Sequence, residues 1–204
     1  VTELFNNYKV SPVDDYTSQL YKCLSDASYS KDKKKTIVIL SPGVFNSAYF
    51  EHAYLAQQMG IFLVESSDLC LSDDNYVYMK TISGKKKIDV IYRRINDDYL
   101  DPNVWIKDST LGLPGLINSW KEKKVAIVNA PGSGVADDKA VYAFVPKMIE
   151  FYLNETPKLA QVKTYLCAFD KDKKYVLDNI KKLVLKPVNE LSLIHISEPT
   201  RPLH

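Results

Sequence analysis

Apolar residues in this chain gather in short continuous runs, and these alternate with stretches of helical spacing. Thr36-Ile-Val-Ile-Leu40, Ile61-Phe-Leu-Val64, Ile88-Asp-Val-Ile-Tyr92 and Val125-Ala-Ile-Val128 are rich in β-branched residues and bounded by turn residues, as strands covered on both faces are. Between the first two, Asn46 or Ser47 can cap a helix over Ala48–Met59 that stops at Gly60, giving a βαβ unit of parallel strands. Leu69–Leu71 and Tyr76–Met79, split by Asp73-Asp74-Asn75, predict a hairpin. Ser83-Gly84 predicts a turn, and residues 93–110 a polar loop. Pro114 opens a helix through Lys121, and Asp137 is positioned to cap another, which Pro146 should kink or restart. Tyr16, Leu20 and Leu24 predict an early helix. Thr164–Cys167, a helix near Lys171–Lys182 and a strand over Leu183–Lys186 complete the pattern. Alternating strands and helices predict an α/β fold with an open, mostly parallel sheet.

Composition narrows the class. Of 204 residues 46% are hydrophobic and 25% charged, and the formal net charge is +2, so a globular core is expected and a nucleic-acid partner is not. The lysine runs 33–35, 85–87 and 121–124 are scattered beside turns and read as solvated charge. No apolar stretch approaches the roughly 20 residues of a bilayer crossing, so no membrane association is expected. Cys23, Cys70 and Cys167 lie far apart without metal-ligand spacing, which predicts reduced thiols, a cytoplasmic location and no metal site.

The chemistry-bearing clusters follow the strands, where ligands of open α/β sheets bind. After the first strand comes Ser41-Pro-Gly-Val-Phe-Asn-Ser47, with Asn46 in the turn and Glu51 and His52 in the next helix; free helix N–H groups there suit an anion. His52 also fits a half-buried position beside Leu55, Ala56 and Met59. Arg93-Arg94 and Asp97-Asp98 follow another buried strand; the arginines suit carboxylate or phosphate and the aspartates an amine or a metal, with surface ion pairing as the alternative. Ala130-Pro-Gly-Ser-Gly134 offers Ser133 and a backbone that a ligand can approach, but Asp137 stands where a dinucleotide fingerprint needs a third glycine. Lys186 ends the last predicted strand, before Pro187.

Ser41-Pro-Gly-Val-Phe-Asn-Ser-Ala-Tyr-Phe-Glu-His-Ala-Tyr-Leu-Ala56, Asp89-Val-Ile-Tyr-Arg-Arg-Ile-Asn-Asp-Asp-Tyr-Leu-Asp-Pro102, Leu111-Gly-Leu-Pro-Gly115, Asn129-Ala-Pro-Gly-Ser-Gly-Val-Ala-Asp-Asp-Lys139 and Val184-Leu-Lys-Pro-Val-Asn-Glu190 together resemble the circularly permuted ATP-grasp type 2 proteins. The family is similar to glutathionylspermidine synthase and other ATP-dependent carboxylate–amine ligases, which act through an acyl phosphate.

The resemblance implies a Rossmann-like pre-ATP-grasp domain with the first edge of an ATP-grasp subdomain. It also implies ATP and Mg2+ as cofactors, small-molecule or peptide carboxylates and amines as substrates, and Lys186 as an ATP contact. The expected division is a helical lead-in over 1–35, the Rossmann-like domain over 36–160, the truncated ATP-grasp subdomain over 161–190, and a non-native tail over 191–204. That tail, Leu191-Ser-Leu-Ile-His-Ile-Ser-Glu-Pro-Thr-Arg201 onward, reads as translated sequencing adapter. The chain is therefore expected to be a ligase fragment that catalyses nothing alone and binds no cofactor. The alternatives are a Rossmann-type nucleotide-sugar or dinucleotide enzyme and a non-catalytic interaction module.

Overall fold

The structure is a computed structural model that describes residues 5, 8 and 12–188; the stretch read as adapter lies outside them. The chain divides into two compact units, Val1–Pro131 and Gly132–His204.

The first unit runs α1 (Tyr16–Asp26), β1 (Ile37–Leu40), α2 (Tyr49–Met59), β2 (Phe62–Val64), β3 (Leu69–Leu71), β4 (Val77–Thr81), β5 (Gly84–Lys87), β6 (Val90–Arg93), α3 (Leu116–Lys121) and β7 (Ala126–Val128). Four strands form a sheet in the order β2-β1-β6-β7, and all its pairings are parallel. The fold is thus α/β, and the four apolar runs became its four parallel strands. Their burial on both sides explains why they read as continuous rather than alternating. Ile37 and Ile39 of β1 and Val90 and Tyr92 of β6 pack with Leu24 of α1 and Leu55 and Ala56 of α2. Val38, Leu40 and Ile91 point to the other face, with Leu69, Val77, Met79, Leu113 and Leu116. Period two along each strand divides one apolar run between two cores.

The second face is covered in part by the antiparallel sheet β3-β4-β5. Its first two strands form the expected hairpin. The third, Gly84–Lys87, is exposed throughout, so Lys85–Lys87 are solvated as expected but lie on an edge strand that the sequence reading did not include. Lysines suit an edge strand because they discourage pairing with another chain. Here Lys86 and Lys87 also lie over the rings of Phe62 and Tyr76, at 4.8 and 4.2 Å.

Two local devices fix the connections. Gly60 ends α2 at φ +64°, and the N–H of Ile61 returns to the Ala56 carbonyl at 3.0 Å, a left-handed cap. The loop before α3 is closed by Asp101, only 1% exposed. One of its carboxylate oxygens accepts from the N–H groups of Asn103 (2.9 Å) and Gly115 (3.0 Å), the other from Ile117 (3.0 Å). Pro114 lies before Gly115, which is the N-cap of α3.

The second unit contains a 3-10 turn (Ser133–Asp137), α4 (Lys139–Leu153), α5 (Asp170–Asp178) and a 3-10 turn (Ile180–Lys182). The α4 cap is Asp138, whose side chain accepts from the Ala140 N–H at 2.7 Å; Asp137 ends the preceding turn instead. Helix α4 passes through Pro146 without interruption. Proline removes the N–H that would reach the Tyr142 carbonyl, and the Gln161 side-chain amide supplies a donor there at 2.6 Å. Thr164–Cys167 is not a strand, and the expected strand over Leu183–Lys186 reduces to a single bridge at Leu185.

Candidate functional site

In the order β2-β1-β6-β7 the crossovers from β1 and from β6 run outward in opposite directions, so the sheet's switch point lies between these two strands. Crevices beyond the carboxyl ends of strands at such a point are where open α/β sheets take ligands. The backbone knits the point together: the Arg94 N–H donates to the Leu40 carbonyl at 2.8 Å, and the Ser41 N–H to Val64 at 2.9 Å.

Ser41 and His52, each 1% exposed, form a buried pair. The Ser41 hydroxyl lies 2.9 Å from His52 Nδ1 and accepts from the Gly43 N–H at 3.2 Å. Serine thus has its proton free for the ring, and the network assigns an imidazole that accepts at Nδ1. Burial, then the charge of Arg94, push His52 below the usual imidazole value, with Glu51 opposing them. The imidazole is neutral at pH 7.

The two arginines diverge at the end of β6, Arg93 being its last residue and Arg94 the first beyond it. Arg93 is an internal tie: its guanidinium pairs with Asp97 at 2.8 Å and donates to the carbonyls of Asn129 (2.7 Å), Ile95 (2.8 Å) and Ala130 (3.3 Å). Its side chain is 9% exposed. Arg94 turns to α2, where it pairs with Glu51 and donates to the Tyr92 hydroxyl at 3.1 Å. Their side chains are 25% and 54% exposed, so this pair faces solvent.

Of the remaining candidates, Asn46 accepts from the Ala48 N–H at 2.9 Å and shapes the turn before α2. Asp98 is exposed and its backbone carbonyl accepts from Ile106 N–H at 3.2 Å. Ser133 begins the 3-10 turn of the second unit, and Lys186 is exposed in that same unit. Glu51, His52, Arg93, Arg94 and Asp97 thus lie around the carboxyl ends of β1 and β6, with His52 and Arg93 covered and the Arg94–Glu51 pair facing solvent, while Asn46 and Asp98 serve the neighbouring loops. Among the described residues no group of three or more His, Cys, Asp or Glu side chains could hold a metal.

Ser41 and Lys139 were missed in the sequence. Ser41 follows the strand directly and its hydroxyl has no distinguishing sequence signal. Lys139 had one: it is the first residue of α4, where the helix dipole disfavours a cation. Its ammonium is buried and has no hydrogen-bond partner among the described residues. Its backbone N–H donates to the Val188 carbonyl at 3.1 Å, two residues beyond Lys186.

Residues 1–199 match the family described as circularly permuted ATP-grasp type 2. The chain belongs to that family. Similar proteins include an uncharacterised protein of Synechocystis, 49% identical over 188 residues, which cover 92% of this chain and 39% of that protein. An uncharacterised protein of Mycobacterium tuberculosis is 50% identical over 185 residues, 91% of this chain and 33% of its own length. A Frankia casuarinae protein provisionally named glutamate–cysteine ligase 2-2 is 43% identical over 153 residues, 75% of this chain and 18% of its own. This ATP-grasp chain thus spans about two fifths or less of the length of the relatives it matches. No helix among its described residues is long and apolar enough to cross a membrane.

Proposed function

We propose that the longer protein carrying this segment is an ATP-dependent carboxylate–amine ligase, and that Lys139 and Lys186 are its phosphate contacts in this chain. ATP, when bound, supplies the phosphoryl group that turns a carboxylate into an acyl phosphate, which an amine then displaces. The observation that carries the reading is the buried ammonium of Lys139, which has no hydrogen-bond partner among the described residues. A buried cation without a hydrogen-bonding partner is costly, and a phosphate oxygen would supply one. The hydrogen bond from Lys139 to Val188 keeps the two lysines in one local framework, and exposed Lys186 precedes Pro187, which favours an extended backbone. Two ammonium groups around phosphate oxygens would stabilise the charge that develops during transfer.

Mg2+ is commonly held by one or two carboxylates and the phosphates it bridges, and no residue of this chain is assigned to it. This chain alone is proposed to be inactive and to bind nucleotide weakly. The switch point of the first unit, between β1 and β6, is proposed to serve substrate recognition. Membership of the ATP-grasp family weighs against the dinucleotide alternative.

The test is direct titration of Mg-ATP into the full-length protein. Lys139→Ala and Lys186→Ala should each raise Kd at least about tenfold, or roughly 1.4 kcal/mol. Lys186→Arg should not fully restore it, since a planar guanidinium does not replace a compact ammonium. Unchanged affinity in both alanine variants overturns the assignment.

A further inference from the structure

The two charged pairs at the switch point differ in a way that points to a ligand. Arg93 is committed to Asp97 and three backbone carbonyls with its side chain almost wholly covered. Releasing it would open the strand end, since its carbonyl partners lie just beyond β7 and β6. Arg94 is held by Glu51 and by one tyrosine hydroxyl, and its Nε makes no hydrogen bond to any described residue. Its position survives loss of the ion pair, because the backbone bond to Leu40 and the packing over the Tyr92 ring at 5.7 Å remain. Glu51 sits in the first turn of α2, where the helix dipole also favours its negative charge. Each member of the pair therefore keeps a separate anchor when the two part.

We propose that the Arg94–Glu51 pair is the recognition site for an α-amino acid, held as its zwitterion, with Arg94 taking the carboxylate and Glu51 the ammonium. This rests on the ligase reading, and it names the class of substrate that the pair would accept. The charge balance selects the zwitterion. A simple carboxylate would take Arg94 and leave Glu51 unpaired beside a second anion. A simple amine would take Glu51 and leave Arg94 unpaired. A zwitterion replaces each partner with one of the same sign, so the open pair loses no compensation. Arginine offers a planar fork that meets a carboxylate with two parallel bonds, and opening the pair frees the edge that Glu51 now occupies. His52 adds no competing charge, because the buried ring is neutral.

The experiment uses three probes that share a linear hydrocarbon chain: L-norvaline, pentanoate and butylamine. Each is titrated into this chain at pH 7 without nucleotide, and binding is followed by the NMR shift of the Arg94 Nε–H. L-Norvaline should bind in the millimolar range, and pentanoate and butylamine at least about tenfold more weakly. In Arg94→Ala, followed through backbone amides of α2, norvaline binding should be lost. In Glu51→Gln the discrimination should collapse, with pentanoate binding at least as tightly as norvaline; this variant keeps the shape of the side chain and guards against a folding artefact. Equal binding of norvaline and pentanoate by the unaltered chain overturns the proposal, as does the absence of any Arg94 shift with norvaline. Neither result touches the nucleotide reading, which is tested on Lys139 and Lys186 in the other unit.

Discussion

At the scale of single residues, the strand ends of β1 and β6 combine a buried imidazole with a half-exposed ion pair. His52 is the former. Its folded value is depressed by burial and by Arg94, so the unfolded chain binds the proton more readily than the folded one. Stability is then fully present above the unfolded value of about 6.5 and is lost as pH falls below it toward the folded value. Urea midpoints of the unaltered chain and of His52→Asn should therefore converge as pH drops from 7.5 to 5.5, because the variant retains a polar group near the Nδ1 position but does not titrate. A difference between the two that stays constant across that window would show that His52 does not titrate against folding. The sequence placed His52 beside Leu55 and Ala56, and the structure buries it there. It did not show the Ser41 partner, since a contact between positions 41 and 52 depends on how far the turn carries α2 back over β1.

At the scale of elements, legibility followed apolar content. The runs that became β1, β2, β6 and β7 were read within a residue or two because burial on both faces leaves little choice of composition. Strand β5, Gly-Lys-Lys-Lys, was missed because an edge strand is held by the ladder to β4 rather than by apolar side chains. The α4 cap was displaced by one residue because Asp137 and Asp138 are equivalent in local chemistry, and tertiary geometry chose between them. The loop before α3 looked only polar, although backbone proximity determines it. At Gly112 a Cβ would stand 2.1 Å from the carbonyl oxygens of Tyr99 and Leu100, whereas at Gly60 nothing lies within 4 Å and only the φ of +64° is at issue. Gly60→Ala should thus cost about 1 kcal/mol, the usual left-handed penalty. Gly112→Ala must displace two backbone carbonyls and should cost well over about 3 kcal/mol or prevent folding. Chemical denaturation of the two variants distinguishes the cases; equal costs would mean that the 99–112 contact is not maintained in solution.

At the scale of the whole molecule, the two units differ in how much apolar surface they remove from water. In Val1–Pro131 two clusters of buried side chains line the faces of the parallel sheet. In Gly132–His204, Val176 alone among the described residues is a buried hydrophobic, while Phe151, Tyr152, Leu153, Leu159 and Val162 are each more than 60% exposed. No residue of helix α4 is buried as a whole, although the Lys139 ammonium is covered. Helices of this length draw most of their stability from packing, which α4 has only in part, beside its Asp138 cap and the Gln161 bond to Tyr142. Local opening free energy tracks buried apolar contact, and the prediction is a steep contrast in amide exchange. The amides of β1 and β6 should exchange only on global unfolding, and those of the central α4 turns at least about 100-fold faster, a gap of roughly 2.7 kcal/mol. Asn154 and the residues after it should be the first cut by a dilute protease, because α4 ends there on a left-handed residue that is exposed. If α4 were protected as strongly as β1, some surface would have to cover Phe151 and its neighbours in solution, and a concentration-dependent sedimentation coefficient would then identify a second copy of the chain as that cover.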